Sequence, residues 1–380
     1  MSSIAPVPVT FVSEQAQLGG AERYLEALIA ELGDDWVDSV IALADGPFVE
    51  RLDRLGVEVE VLPAERGPGL AAAAVRLHRA LRRRRPAMIH ANGVKAASLC
   101  ALAVRGLRTP LVWLKVDLAR DGPIAWATAA GCTRIVGIST TTLETFPGPL
   151  RRRARVVYAA VPAIVTDREA ARRLVLELTG FPAQAEVVVV SGRLSPGKGQ
   201  IELIAAAPRV LASRQRARFA ILGGEDSFFP GYEDALRDQV AAAGLAGSFA
   251  FVGHRPPGIE SADDAARFVS GCDVLAAPSV RQARGGWREG FGLAPVEALQ
   301  VGTPVVAYAS GALPEVLDGC ARIVPEGDRV ALADAIAGLL VEPELRRALI
   351  ERGRRRARER FSIDRAAEQM SAQYAELARR

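Results

Sequence analysis

The stretch EVVVVSGRLSPGKG, residues 186–199, decides the fold of this chain. Its first six residues form a continuous run dominated by valine, which predicts a strand that is buried on both faces of a sheet. Glycines and a proline follow and predict a tight loop, and a helical pattern begins after Gly199. A strand, a loop and a helix in this order are the repeating unit of a parallel α/β sheet.

Apolar runs of this kind alternate with helical patterns along the whole chain, about seven in the first half and about six in the second. The seventh covers Val156–Tyr158, and a short helix is predicted over Thr140–Thr145. A single sheet of that many strands would be unusual, so the pattern favours an α/β fold with two doubly wound, Rossmann-like parallel sheets. The predicted domains span residues 1–162 and 163–362 and face a central cleft, and a C-terminal helix over 363–380 is expected to pack back on the first domain.

The composition is that of a folded protein. The chain has 380 residues, of which 49% are hydrophobic and 24% charged, and these values exclude a disordered protein, a collagen and a small disulfide scaffold. No apolar run is long enough for a transmembrane helix, and the N-terminus lacks the pattern of a signal peptide. The cysteines are widely spaced and form no metal-binding pattern: Cys100, Cys132, Cys272 and Cys320. We therefore expect a reduced, cytoplasmic protein.

The basic residues give the chain a net charge of +4. Arginine runs at residues 82–85, 151–153 and 352–360 fit solvated helix ends. They also fit attraction to anionic lipid headgroups, which would suit a lipid-linked acceptor and bring the protein to the inner face of the membrane. Nucleic acid is not an expected partner, because only 6% of the residues are aromatic and no recognition motif accompanies the charge.

The loop in the deciding stretch predicts an anion site. Arg193 and Lys198 converge on the N-terminus of the following helix, where free amides and the helix dipole already favour an anion, and a diphosphate is the natural ligand. The loop resembles a P-loop, but Gly199 stands where the Mg²⁺-binding hydroxyl belongs, which argues against a P-loop NTPase. No Asp-x-Asp sequence occurs in the chain. We therefore expect no metal ion and no other cofactor, with the basic pair in the metal's place.

A second glycine-rich segment, REGFGLAPVEAL at residues 288–299, also leads into a helix. The backbone amides of Phe291, Gly292 and Leu293 can point at an anion because the glycines do not obstruct them. Glu289 and Glu297 flank these amides. Carboxylates are poor ligands for phosphate, so we expect the two glutamates to bind hydroxyl groups. For Glu297 the alternative is an acid that is favoured only by the helix dipole.

These motifs and their order resemble the retaining glycosyltransferases of family 4, which have the GT-B fold. The segment EGFGLAPVE looks like the E-x7-E motif of that family. Before it come GRLSPGKG at 192–199, GGE at 223–225 and FVGHRP at 251–256, and after it come GTPVVA at 302–307 and GALPEV at 311–316. The resemblance extends over almost the whole chain and is strongest in the second half.

The resemblance implies a role for each matching residue. A nucleotide-sugar donor would bind in the second domain, with Arg193 and Lys198 on its diphosphate, Glu289 on the sugar hydroxyls and Glu297 on the ribose. The further donor-binding positions that it implies are Gly20, Gly223, Gly224, Arg255, Gly290, Phe291, Gly292 and Leu293. Transfer in this family is described as a front-face reaction, in which the departing phosphate oxygen takes the proton of the acceptor, so no enzyme base is required.

The first half carries weaker signals, which lie after the predicted fourth and fifth strands. Ligands bind outside the carboxyl ends of parallel strands, so the polar residues there are candidates for the acceptor side. These candidates are Asn92, Lys95, Lys115 and Asp117. The neighbouring His90 fits a core histidine as well as a site residue. Val116 stands where the family often has a histidine, which leaves the acceptor geometry open.

Three functions fit these observations. The first is a retaining glycosyltransferase that moves a sugar from a nucleoside diphosphate sugar to the hydroxyl of a glycan, a lipid-linked acceptor or a small molecule. The second is another activity on the same scaffold, such as a nucleotide-sugar epimerase or a sugar phosphorylase. The third is a non-catalytic protein that binds sugar nucleotides. The number and order of the matching motifs favour the transferase.

Overall fold

The structure, a computed structural model, describes residues 5–64, 69–118, 122–253, 262–282 and 286–379. The chain divides into two units, one formed by Met1–Pro162 with Ser362–Arg380 and the other by Ala163–Phe361. Each unit is built around one parallel β-sheet with helices between its strands. The predicted α/β class with two doubly wound sheets is therefore confirmed.

The elements alternate between strand and helix along most of the chain. The strands are β1 (Val9–Ser13), β2 (Val37–Ala42), β3 (Val59–Val61), β4 (Met88–Asn92), β5 (Leu111–Lys115), β6 (Arg134–Gly137), β7 (Ala154–Val156), β8 (Glu186–Ser191), β9 (Ala217–Leu222), β10 (Phe249–Gly253), β11 (Val274–Ala277), β12 (Val305–Tyr308) and β13 (Arg322–Val324). The helices are α1 (Gly20–Leu32), α2 (Pro47–Arg54), α3 (Gly69–Arg84), α4 (Val94–Ala103), α5 (Pro123–Gly131), α6 (Gly148–Arg151), α7 (Arg168–Thr179), α8 (Gln200–Ser213), α9 (Tyr232–Ala242), α10 (Ala262–Ser270), α11 (Leu293–Val301), α12 (Leu313–Val316), α13 (Arg329–Val341), α14 (Pro343–Arg360) and α15 (Ile363–Ala378).

The first unit has a sheet of seven strands in the order β3-β2-β1-β4-β5-β6-β7. Every residue of β1, β4 and β5 is buried. Central strands of a parallel sheet are covered by helices on both faces, which explains why their sequences are apolar throughout. The order of the strands reverses between β1 and β4, and such a switch point is where open α/β sheets bind ligands.

The second unit has a sheet of six strands in the order β10-β9-β8-β11-β12-β13. Strand β8 lies in its middle and buries Val187–Val190, as the deciding stretch predicts. Helices α8 and α13 pack against this sheet through apolar residues that are fully buried, among them Leu203, Leu332 and Ile336. The switch point lies between β8 and β11, so the loops after these strands meet at one edge.

Helix α15 belongs to the first unit, although a whole second unit precedes it in the sequence. The Tyr374 hydroxyl lies 2.6 Å from Nδ1 of His90 in β4, and both residues are fully buried. Arg134 in β6 donates to the Glu376 carboxylate at 2.9 Å. The helix is thus held on the sheet by one buried and one partly exposed polar contact as well as by apolar packing.

Two local predictions are wrong. The helix predicted over Thr140–Thr145 is only a 3₁₀ turn at Thr141–Leu143. There the Thr142 hydroxyl donates to the Ser139 carbonyl at 2.7 Å, and such side-chain bonds to the backbone compete with a helix. The seventh strand is β7, which begins two residues earlier than predicted. Its central residue Arg155 is exposed and polar, so apolar patterning misses it.

Candidate functional site

Four loops meet at the carboxyl edge of the second sheet, because each follows the end of a strand. Backbone hydrogen bonds connect the loop after β8 to its neighbours: the Leu194 N–H donates to the Gly224 carbonyl at 2.8 Å, and the Gly197 carbonyl accepts from Val280 at 2.9 Å. The loop after β12 joins them, since the Ala312 N–H donates to the Glu289 carbonyl at 2.9 Å. The motifs that the sequence places far apart therefore form one cluster.

Glycines allow this close approach. Gly223 has a φ of 150°, and a Cβ there would lie 1.9 Å from the Gly192 carbonyl oxygen. Gly199 has a φ of 72°, and a Cβ there would lie 1.8 Å from the carbonyl oxygen of Pro278. Backbone atoms cannot yield as a flexible side chain can, so only glycine fits at these two positions.

Lys198 and Glu289 form the centre of the cluster. The Lys198 ammonium donates to Oε2 of Glu289 at 2.7 Å, and the Ser279 hydroxyl donates to the same oxygen at 3.2 Å. The Glu289 side chain is only 11% exposed and that of Lys198 24% exposed. The Lys198 ammonium also lies 5.4 Å from the ring centre of Trp287. Two predicted site residues, 91 positions apart in the sequence, are thus in direct contact.

Arg193 lies on the same loop as Lys198 and is the more exposed of the two cations. Its guanidinium pairs with the buried Asp226 carboxylate at 2.8 Å, while 47% of its side chain is exposed. The Arg193 carbonyl accepts from the side-chain amide of Gln200, the first residue of α8, at 2.9 Å. The backbone of Arg193 is therefore fixed, and its guanidinium is paired with Asp226 while the side chain stays partly exposed.

The N-terminus of α11 adds backbone amides to the cluster. Gly292 caps this helix with a φ of 92°, a conformation that favours glycine. The Phe291 ring packs edge-on against Phe361 at 5.3 Å, so the side chain anchors the segment in the core. Gly290 is buried beside it, and Leu293 is the first residue of the helix. Glu297 lies in the same helix and is 4% exposed.

Gly224, one of the remaining donor-side predictions, lies in this cluster, where its carbonyl accepts from the Leu194 N–H. Gly224 is next to Gly223 in the loop after β9. Gly20 is in the first unit, where it is exposed and begins α1. Arg255 lies outside the described residues, as does His254.

The acceptor-side candidates all follow or end strands of the first sheet. Lys115 is buried, and its ammonium donates to the Asp117 carbonyl at 2.5 Å. The Lys95 ammonium donates to the Ala64 carbonyl at 2.6 Å. Asn92 is 1% exposed, and its Oδ1 has no hydrogen-bond partner among the described residues. The structure thus places these four residues at the carboxyl edge of the first sheet.

The sequence analysis did not predict a site role for Asp226 or Trp287 of the cluster in the second unit. Asp226 pairs with Arg193 and directly follows the GGE motif at 223–225. Ser279 ends the segment Ala277–Ser279, which is part of the family resemblance, but its bond to Glu289 has no sequence signal. Trp287 stands beside Arg288 in the loop after β11. Its position as a large aromatic residue in a glycine-rich loop is the sequence signal that could have identified it as a site residue.

The described part of the chain contains neither a metal-binding cluster nor a membrane-spanning helix. No group of three or more histidines, cysteines, aspartates or glutamates is placed to hold a metal ion there. In the same residues, no helix combines the length and the apolarity that crossing a membrane requires.

Family models match most of the chain. The model described as "Glycosyl transferase 4-like domain" matches residues 19–192, and the model described as "Glycosyl transferases group 1" matches residues 171–356. The two parallel sheets and the loops at their carboxyl edges define the GT-B class of protein. Within that class, the chain belongs to the glycosyltransferases of family 4.

Known proteins resemble the chain to different extents. The phosphatidyl-myo-inositol mannosyltransferase of Mycobacterium leprae is 37% identical over 47% of this chain and 43% of that protein. The 2-deoxystreptamine N-acetyl-D-glucosaminyltransferase of Streptomyces fradiae is 28% identical over 88% of this chain and 85% of that protein. The Anabaena protein HepE in complex with UDP matches with a TM-score of 0.82 and 22% identity, over 97% of this chain and all of that one, which shows a shared fold. The match to the mannosyltransferase spans less than half of that relative's length.

Proposed function

We propose that this protein is a retaining glycosyltransferase that moves a sugar from a nucleoside diphosphate sugar to a hydroxyl acceptor without a divalent metal. The observation that carries the proposal is the contact between Lys198 and Glu289 at 2.7 Å. In this contact, a cation that is suited to bind phosphate lies beside a carboxylate that is suited to bind sugar hydroxyls. Both lie next to the glycine-capped N-terminus of α11. Family membership supports the same reaction class.

The charge of the leaving group determines what the cluster does. As the bond between the sugar C1 and the phosphate oxygen breaks, negative charge grows on the diphosphate. Lys198, Arg193 and the amides at the start of α11 stabilise that charge, and they are in place before the reaction begins. The acceptor oxygen bonds to C1 on the face that the phosphate leaves, and its proton passes to the departing phosphate oxygen. No enzyme base takes part in this step.

The carboxylates have a different task from the cations. Glu289 is held by Lys198 and Ser279, so one of its oxygens is fixed and the other is oriented for a sugar hydroxyl. The ammonium also cancels the charge of this carboxylate, which would otherwise repel a diphosphate. Glu297, buried in α11, binds the ribose.

The test is a screen of UDP-, GDP-, ADP- and dTDP-sugars for released nucleoside diphosphate, with and without candidate acceptors. HepE in its UDP complex makes UDP-sugars one first choice. GDP-sugars are the other, because a relative in Corynebacterium glutamicum, 31% identical over 51% of this chain and 47% of that protein, is named as a GDP-mannose-dependent mannosyltransferase. We expect release that requires an acceptor, a product with the anomeric configuration of the donor by NMR, and unchanged rates in EDTA. Interconversion of donors without release would indicate an epimerase, phosphate-dependent release a phosphorylase, and binding without turnover a sugar-nucleotide binding protein.

We also propose a peripheral contact between the first unit and an anionic membrane. Arg83 and Arg84 pair with acidic side chains at 2.9 and 2.7 Å, but their neighbours Arg82 and Arg85 have no acidic partner among the described residues. With Arg108 these two line a hollow of about 260 Å³. Three guanidiniums that have no acidic partner in the described part of the chain favour lipid phosphates.

Vesicle sedimentation tests this contact. The wild-type protein should sediment with phosphatidylglycerol vesicles at low salt and stay in solution with phosphatidylcholine vesicles. The triple variant R82Q/R85Q/R108Q should lose the binding, whereas equal binding of both proteins would contradict the proposal.

A further inference from the structure

Trp287 touches the lysine of the cluster, although no motif assigns it a role. The centre of its ring lies 5.4 Å from the Lys198 ammonium, within the range of a cation–π contact. The same ring lies against Gly197, where a Cβ would come within 2.5 Å of the ring atoms Cε3 and Cζ3. The indole therefore packs against the turn that carries Lys198.

The backbone around Trp287 is fixed on both sides. The Trp287 carbonyl accepts from the Gln282 N–H at 3.0 Å, which closes the loop after β11 upon itself. Val280, two residues before Gln282, donates to the Gly197 carbonyl at 2.9 Å. The backbone of Trp287 and the turn at Gly197 are thus connected through the same loop, and the ring lies against that turn.

We propose that Trp287 is a positioning residue that, together with Glu289, fixes the Lys198 ammonium before the donor binds. This inference rests on the proposed function. A lysine side chain is a flexible stem, and an ammonium that moves freely must be ordered during the reaction. The Glu289 carboxylate restrains the ammonium through an ion pair, and the Trp287 ring restrains it through a cation–π contact. The cation is therefore already placed where negative charge develops on the diphosphate.

The inference predicts a particular kinetic pattern. Loss of the aromatic face leaves the donor pocket in place but allows the ammonium to move. The turnover number should then fall more than the affinity for the donor. A purely packing role would instead be fulfilled by any large apolar side chain, and it would not separate kcat from KM in this way.

The first experiment compares W287L with W287F, using W126L as the matched control because Trp126 is a partly exposed tryptophan of α5 in the other unit. We expect W287L to lower kcat about tenfold with less than about a threefold change in the donor KM, and W287F to stay within about threefold of wild type. W126L should match wild type. Equal losses in W287L and W287F, or wild-type kinetics in W287L, would overturn the inference.

The second experiment retains Trp287 but shifts the position of its ring. G197A places a methyl group against the ring, so it should reproduce the loss of kcat seen in W287L. The double variant G197A/W287L should be no worse than W287L alone, because the ring that the methyl displaces is gone. If W287L does not fold, G197A decides, and wild-type turnover in G197A contradicts the inference.

Nucleotide binding separates this inference from the proposed function. Isothermal titration with UDP, GDP, ADP and dTDP should show that at least one of them binds to wild type and to W287L with similar affinity. Absence of binding of all four nucleotides to wild type defeats the proposed function. Binding to wild type combined with unchanged kcat in W287L and G197A defeats only the role of Trp287.

Discussion

Lys198 and Glu289 explain how a carboxylate can lie where a diphosphate is expected to bind. Alone, Glu289 would repel the phosphates, but its charge is balanced by the ammonium 2.7 Å away. Both side chains are largely removed from water, which strengthens their interaction relative to an exposed pair. The pair is therefore stable without a donor and ready to interact with one.

Removal of either cation should slow the reaction strongly. We expect Lys198→Ala or Arg193→Ala to lower kcat by about 10²–10³-fold, the effect of losing one preorganised stabiliser of developing charge. Steady-state kinetics with the best donor from the screen measures this.

Arg209→Ala serves as the control for this prediction, because that arginine pairs with Asp334 on the surface, 54% exposed, and contacts none of the site loops. It should keep wild-type turnover. Wild-type kinetics in both site variants would remove the assignment of the donor site.

The sequence identified most of these residues but not their contacts. Lys198 and Glu289 stand in recognisable motifs because each motif combines a strand end, glycines and a charged residue. Their contact depends on where β8 and β11 lie in the sheet, and no local pattern gives the distance between two loops that are 91 residues apart. Trp287 was missed for the same reason, since its ring matters only through the turn that it packs against.

At the scale of elements, the loops after β8 and β11 approach so closely at Gly199 that a side chain there would meet the backbone of Pro278. Gly199→Ala should destabilise the protein in two ways. The left-handed φ of 72° costs about 1–2 kcal/mol for alanine, and the clash with the Pro278 carbonyl adds about 1–3 kcal/mol.

Gly244→Ala is the matched control, because its φ is 69° and a Cβ there would have no neighbour within 4 Å. Gly244→Ala should show only the destabilisation that comes from the left-handed backbone conformation. Denaturant unfolding of the two variants and wild type gives both values, and equal destabilisation by the two substitutions would mean that the loops are not in close contact.

Buried His90 of β4, which contacts Tyr374 of α15, brings a pH dependence to the first unit. Burial lowers the pKa of His90 to about 3, whereas a histidine in the unfolded chain has a pKa of about 6.5. Between these values the unfolded chain binds a proton that the folded chain excludes, so stability falls as the pH decreases below about 6.5. The group should make the protein about 2 kcal/mol less stable at pH 5 than at pH 8.

Urea unfolding at pH 8 and pH 5 checks this value. The variant His90→Asn loses the titrating group, so its stability should change less between the two pH values than that of wild type, even if it is less stable throughout. An identical change in wild type and variant would show that His90 does not contribute.

The element pattern shows where sequence reasoning succeeds. Strands such as β1 and β8 are predicted because they are buried on both faces, and burial requires an unbroken apolar run. Strand β7 and the turn at Thr141–Leu143 are less well predicted, because an edge strand tolerates Arg155 and because the Ser139 and Thr142 side chains replace helical bonds. The contact of His90 with Tyr374, 284 residues apart, has no local signal at all.

At the scale of the whole molecule, each unit has a distinct chemical character. The second unit gathers cations, carboxylates and helix amides at one sheet edge, which suits a charged donor. The first unit carries the buried Lys115 and Asn92 and the half-buried Lys95 at its corresponding edge. At its surface, arginines that have no acidic partner among the described residues line a hollow. The chain passes from the first unit to the second at Pro162 and returns at Ser362.

The most direct test of the central claim is isothermal titration of nucleoside diphosphates, with the matching monophosphates as comparison. The account predicts that wild type binds one of UDP, GDP, ADP or dTDP clearly more tightly than its monophosphate, and that Lys198→Ala and Arg193→Ala remove most of this difference while Arg209→Ala preserves it. Equal affinity for the diphosphate and the monophosphate in wild type, or an unchanged difference in both site variants, would contradict it.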